Sequence, residues 1–174
     1  MQKVKLPLTL DPHKDAQRRM DYAGYLPSNL LSRLAESVSN VLSDAQVTLS
    51  LYVDPQKLTV IKGAAQVEVE LECQRCSNPF SQTLDCEFLF SPVKNLEQAD
   101  DLPEIYEPIE LNEFGEVNIV DLIEDEFILS LPLVPMHNSE HCEVSVAEQV
   151  FGELPEELAS KPNPFAVLAN LKKN

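Results

Sequence analysis

Between Val47 and Phe90, apolar residues recur at nearly every second position, a pattern that a helix cannot bury on one face. Val47, Leu49, Leu51 and Val53 alternate with polar neighbours, and Asp54-Pro55-Gln56-Lys57 has turn chemistry. Leu58 and Val60, then Val67, Val69, Leu71 and Cys73, continue the period of two, with a break expected at Gly63. The interleaved Glu68, Glu70 and Glu72 are expected to face water. After an Asn78-Pro79 turn, Leu84, Cys86, Phe88 and Phe90 line one face of another strand. The spacing predicts an antiparallel meander with one wet face.

The flanks carry different patterns. Val4, Leu6, Leu8 and Leu10 alternate and suggest a strand. The polar stretch from Asp11 to Gly24 is a loop or a short helix. Pro27-Ser28 marks a helix start, with Leu31, Leu34, Ala35 and Val38 as its stripe and Ser28 as a candidate cap. Glu97 to Asn112 is acidic, contains Pro103 and Pro108, and is expected to cross the surface as a loop. Asn118 and Asp121 form a variant capping box before Ile119, Leu122, Ile123, Phe127 and Leu131, and Pro132 and Pro135 end that helix. Asn163 and Pro164 open a short C-terminal helix with Phe165, Leu168 and Leu171 on one face. The fold class expected is α+β: an antiparallel β-meander or partly closed barrel with flanking helices. One domain is expected over residues 1–150, followed by a tail, 151–174, with its short helix.

Two clusters of soft ligands interrupt this framework. Cys73-Gln74-Arg75-Cys76 is a CxxC at a strand–turn–strand corner, and His137, His141 and Cys142 follow about sixty residues later. Thiolate and imidazole in fours are the ligands of a structural zinc. Cys73, Cys76 and Cys142 with one histidine would complete the set, joining two distant segments. His137 leaves the loop room to wrap an ion. Adjacent His141 would need a sharp backbone turn, and the residues alone do not choose between them. The plain alternative is that Cys73 ends a strand on its core face while Cys76 merely lies in a turn. A thioredoxin-like redox role fits poorly, because a turn and a β-pattern follow the CxxC rather than a helix. Cys86 shares its face with Leu84, Phe88 and Phe90 and reads as core.

No nucleophile elbow, HExxH, kinase signature or phosphate-binding glycine loop is present, and four glycines in 174 residues leave little room for a phosphate cradle. Acidic pairs such as Asp100-Asp101, or Glu124, Asp125 and Glu126, are expected to decorate wet surface. A zinc with four protein ligands has no open position for water, which argues against metal-assisted hydrolysis.

The formal net charge is −16 and unevenly placed. Asn95 to Ser160 holds eighteen Asp or Glu and no Lys or Arg, whereas the opening segment carries Lys3, Lys5, Lys14, Arg18 and Arg19. Such a surface repels phosphate backbones and attracts basic partners. Met1-Gln2-Lys3-Val4-Lys5 leads into alternation and Pro7 rather than an apolar run, and no stretch approaches 18 apolar residues. A soluble cytoplasmic protein with reduced cysteines and no membrane partner is expected.

Several longer segments narrow the possibilities. Leu71-Glu-Cys-Gln-Arg-Cys76, Tyr106-Glu-Pro-Ile-Glu110, Asn112-Glu-Phe-Gly-Glu116, His141-Cys-Glu-Val144, Phe151-Gly-Glu-Leu-Pro155 and Lys161-Pro-Asn-Pro-Phe-Ala-Val-Leu168 together resemble the bacterial family once called domain of unknown function 177, over essentially the whole chain. The resemblance implies a role in accumulation or processing of large-subunit (23S) ribosomal RNA, without an established enzymatic activity. Members of that family resemble one another in carrying cysteines near the positions of His137 and Cys142, often with a further cysteine beyond. This chain has Val144-Ser145-Val146 there. Either a histidine substitutes as ligand or the site has decayed.

A ribosomal RNA factor is expected to be basic, since phosphate contacts supply much of RNA affinity. Two routes reconcile that with −16. In one, RNA is gripped only through Lys3, Lys5, Lys14, Arg18 and Arg19, with Arg75 added at the knuckle. In the other, favoured on charge, the acidic strip Glu97, Asp100, Asp101, Glu104, Glu107, Glu110, Glu113 and Glu116 holds a basic ribosomal protein or assembly factor, with the Phe165, Leu168 and Leu171 helix as a second anchor. The competing classes are a nuclease acting on precursor RNA and a structural adaptor without any ribosomal partner.

Overall fold

The computed structural model describes residues 5–93, 99–100, 102–138 and 142–144. The chain divides into two compact units, Met1–Asn138 and Ser139–Asn174. The sheet, its helices and the acidic surface described below all lie in the first unit.

The meander forms as the alternation dictates. β4 (Ala45–Val53) buries Ala45, Val47, Leu49 and Leu51 and exposes Gln46 and Thr48. β5 (Thr59–Glu72) and β6 (Pro79–Val93) form one long antiparallel ladder, with Glu72 opposite Pro79 and Ile61 opposite Phe90. β5 continues straight through Gly63, so the expected break is absent. The reason is steric: a Cβ on Gly63 would collide with the Phe88 ring and lie 2.8 Å from Leu49 Cδ2. Glycine here makes room for an aromatic side chain across the ladder rather than ending the strand.

The full sheet runs in the order β2 (Asp21–Leu26), β4, β5, β6 and β7 (Glu107–Glu110). The short β3 (Asn40–Val41) pairs with β5 opposite Glu70 and Val69, beyond the stretch that β4 covers. The architecture is α+β, a mostly antiparallel meander rather than a closed barrel. Its edge strands, β2 and β7, are joined to different inner partners. β7 runs parallel to β6 and corrects the expectation that Glu97 to Asn112 is only loop. The prolines misled there: Pro108 lies on an edge strand, where a missing N–H is tolerated.

The polar Asp11–Gly24 stretch resolves into α1 (Pro12–Arg18), capped by Asp11 accepting from the Lys14 N–H at 3.0 Å, and the start of β2. Among the described residues, the opening alternation yields a two-residue strand, β1 (Thr9–Leu10), paired with β8 (Val117–Asn118). Leu6 and Leu10 are buried, but Leu8 is exposed.

After Pro27 comes a 3₁₀ turn, Ser28–Leu30, and then α2 (Ser32–Ser37). Leu31 and Leu34 are buried as the stripe requires, whereas Ala35 is exposed. Ser28 is not a side-chain cap. α3 (Ile119–Ser130) follows its sequence closely: Asn118 Oδ1 accepts from the Val120 N–H, and Asn118 Nδ2 donates to Asp121. Ile119, Ile123 and Phe127 are fully buried and join Leu84, Phe88 and Phe90 in one core.

One residue of α3 departs from expectation. Glu124 belongs to the interior, not to a wet face, and only 2 % of its surface is exposed. Its Oε1 accepts the N–H groups of Arg33 at 2.8 Å and Leu34 at 3.2 Å, two first-turn amides that α2 cannot satisfy itself. Arg33 Nε closes the arrangement on Glu124 Oε2 at 3.3 Å, and Arg33 Nη1 reaches Asp125 at 2.7 Å. A carboxylate from a helix about ninety residues away therefore does what a local serine was expected to do.

Candidate metal centre

The β5–β6 ladder ends at the CxxC turn. Cys73 is fully buried where β5 stops, and its N–H donates to the Asn78 carbonyl at 3.0 Å. The Ser77 N–H returns to the Cys73 carbonyl at 2.8 Å, with Ser77 in the left-handed region at φ 59°. Across this tight reversal the Cys73 and Cys76 sulfurs lie within 4.8 Å of each other.

The strap that follows α3 is fastened to this turn from above. The Gln74 N–H donates to the Pro135 carbonyl at 2.9 Å, and Arg75 Nη2 donates to the His137 carbonyl at 3.4 Å. The His137 ring packs near Phe80 with centroids 5.5 Å apart, and its Nε2 lies 3.8 Å from Cys76 Sγ. The ligand atoms of Cys73, Cys76, His137 and Cys142 all fall within 4.8 Å of one another. Ligands at about 2.0–2.3 Å from a tetrahedral zinc sit about 3.5–3.8 Å apart, so a contraction of up to about 1 Å closes the set.

The electrostatics favour thiolate. Burial pushes the Cys73 thiol up, but the backbone N–H groups of Arg75, Cys76 and His137 and the Cys76 thiol hydrogen-bond its sulfur and bring it down to about 6. Three sulfurs and one imidazole, with backbone donors preset for negative sulfur, fit a structural zinc by chemistry and by number. Cys73, Cys76, His137 and Cys142 would hold one ion, as the spacing of His137 and Cys142 suggests. His141 lies outside the described residues. Cys86 behaves differently: burial first, then the charges of Glu126 and Asp85, push its thiol up to about 11. It is half-buried beside the core, not a ligand.

The expected contact residues are distributed over the first unit. Lys14, Arg18 and Arg19 are exposed on and just after α1, and Lys5 is exposed beside β2. Arg75 is engaged with the strap and half-buried. Asp100, Glu104, Glu107, Glu110 and Glu113 are exposed, and Glu116 is half-buried. Lys3, Glu97, Asp101, Phe165, Leu168 and Leu171 lie outside the described residues.

Part of the acidic strip borders a cleft of about 420 Å³ between β7, β8 and α3. Ile109, Val117 and Leu122 contribute its apolar surface, and Glu110, Glu116, Asp121 and Asp125 its acidic surface. Phe114 is 83 % exposed in the turn between β7 and β8. Asp121 and Asp125 were not singled out for this surface from the sequence, because a helical residue and a strand residue share a cleft only through the tertiary fold. Among the described residues, no helix is long and apolar enough to cross a membrane.

Comparison with known proteins identifies the lineage. Residues 61–172 match the family model described as large ribosomal RNA subunit accumulation protein YceD. A Haemophilus influenzae protein named large ribosomal RNA subunit accumulation protein YceD is 75 % identical over 172 residues, covering 99 % of both chains. No solved structure matches.

Proposed function

The chain belongs to the YceD family of large ribosomal RNA subunit accumulation proteins, and from that premise we propose that it is a non-enzymatic cytoplasmic factor supporting accumulation of large-subunit ribosomal RNA. It acts by holding a basic ribosomal protein or assembly factor. The observation that carries this is the acidic cleft, whose apolar floor suits the stem of a lysine or arginine and whose carboxylates suit the charged head. Phosphate is disfavoured on the same surface. The zinc in this reading is a staple with its four positions taken by protein, so it supplies fold rather than chemistry. The tail residues Phe165, Leu168 and Leu171 enter as a second anchor on sequence alone.

A second reading rests on a different face. Lys14, Arg18 and Arg19 gather exposed cations at α1, and this small patch can touch RNA once a partner has brought it close. The decisive experiment is complementation of a strain lacking the gene. Wild-type protein restores 23S ribosomal RNA levels. Glu110→Lys with Glu116→Lys fails while remaining folded, and Lys14→Glu with Arg18→Glu retains most activity. The opposite ranking would transfer the function to direct RNA contact.

A further inference from the structure

The segment leaving α3 displays apolar side chains where a folded protein normally hides them. Leu133 is 98 % exposed, Leu129 in the last turn of α3 is 78 % exposed, and Val134 and Met136 are exposed as well. Single exposed apolar residues are ordinary, but three within four positions on one strap are not. The strap is held in place by Pro132, Pro135 and the two hydrogen bonds from Gln74 and Arg75. Beside it, Pro135 joins Val38 and Leu71 in lining a groove of about 410 Å³. Glu36 and Glu72 line the same groove.

We propose that the Leu133–Met136 strap and this groove form a docking surface for a cationic protein segment that presents alternating apolar and Lys or Arg side chains. The apolar residues cover Leu133, Val134 and Met136, and the cations meet Glu36 and Glu72. Charge selects this occupant. A second copy would bring another net −16 to a surface already walled by carboxylates. RNA and anionic lipid are repelled for the same reason. Fastening the strap before binding removes much of the ordering cost, so a short segment suffices. The proposal rests on the protein-partner reading above and adds a site separate from the acidic cleft.

The test uses the full chain with a photo-crosslinking residue in place of Leu133, and a parallel chain with it in place of Phe114. Both are irradiated with RNA-free proteins extracted from large ribosomal subunits, and the crosslinked peptides are sequenced. The expected result at Leu133 is a Lys- or Arg-rich peptide with interspersed Leu, Ile, Val or Phe. Leu133→Asp with Val134→Asp then weakens binding of that protein at least tenfold, with metal content and melting temperature unchanged. Glu72→Lys weakens it less and flattens its salt dependence. Crosslinks at Leu133 to a second copy, to residues 145–174 of the same chain, or to nothing overturn the proposal. If Phe114 still captures a basic protein, the wider partner reading stands; if neither position captures one, both fall.

Discussion

Two staples hold distant parts of this chain together, and they are made of opposite materials. At the far end of the β5–β6 ladder, the CxxC turn meets the strap after α3 through soft ligands suited to a metal ion. On α3 itself, Glu124 meets the start of α2 through a buried carboxylate, two backbone N–H groups and Arg33. The metal staple depends on something outside the chain. The carboxylate staple is complete within it. The first should therefore respond to solution metal, the second to a single side chain.

Metal removal gives the largest expected effect. A ligand bound only by the folded state adds about 4 kcal/mol when its free concentration is a thousand times its dissociation constant. Protein purified without chelator should carry close to one zinc. Its urea midpoint should rise with free zinc in a metal-buffered series, and Cys73→Ser should abolish that dependence. The extensive sheet core keeps the zinc-free protein folded, unlike a zinc finger. A midpoint indifferent to zinc, in protein that contains none, would reduce the cluster to ordinary packing.

The carboxylate staple breaks next. Glu124→Ala leaves the Arg33 and Leu34 amides without their acceptor and opens a void, at a cost of about 3 kcal/mol in the chemical unfolding free energy. Arg33→Ala should cost only about 1 kcal/mol, because the guanidinium is nearly half exposed and solvent screens its charge. Neither loss should change with zinc. Equal effects of the two substitutions would mean that the ion pair, rather than the backbone capping, carries the stability.

The two staples also differ in how plainly the sequence announces them. A CxxC and a later histidine–cysteine cluster are marked by residue type alone, so Cys73, Cys76 and Cys142 stand out without any fold in hand, while the choice between His137 and His141 stays open. Glu124 sits among Asp121, Asp125 and Glu126, and nothing in its identity marks it as the one turned inward. Its partner amides belong to a helix too short to reveal its own start. The central strands were legible because burial on one face of a sheet imposes the period directly, and α3 because its cap and its stripe agree. β2 was not, since an edge strand of Asp21-Tyr-Ala-Gly-Tyr-Leu26 alternates weakly, and β7 was masked by its proline. The exposed strap could have been suspected from Leu133-Val134-Pro135-Met136, an apolar run that begins just after Pro132, but only the fold shows that no described core residue covers Leu133.

The smallest effect sharpens the contrast between an acid that the fold satisfies and one that it tolerates. Glu126, two residues after Glu124, is partly buried, and burial first, then the charges of Glu107 and Asp125, raise its pKa above the ordinary glutamate value. The folded state therefore holds this proton more tightly than the unfolded chain does. Its contribution to stability is fully present below the ordinary glutamate range and is lost as pH rises through the higher folded value. Glu126→Gln removes that loss and relieves the repulsion across to β7. It should gain about 0.5 kcal/mol near neutral pH, the scale of a partly screened surface charge, and nothing in acid. It should also lower the Cys86 thiol, whose upward shift includes the Glu126 charge. Denaturation midpoints of wild type and variant between about pH 4 and about pH 7 would measure the difference. A wild type more stable than the variant near neutral pH, with the difference vanishing in acid, would mean instead that a partner holds Glu126 in its charged form.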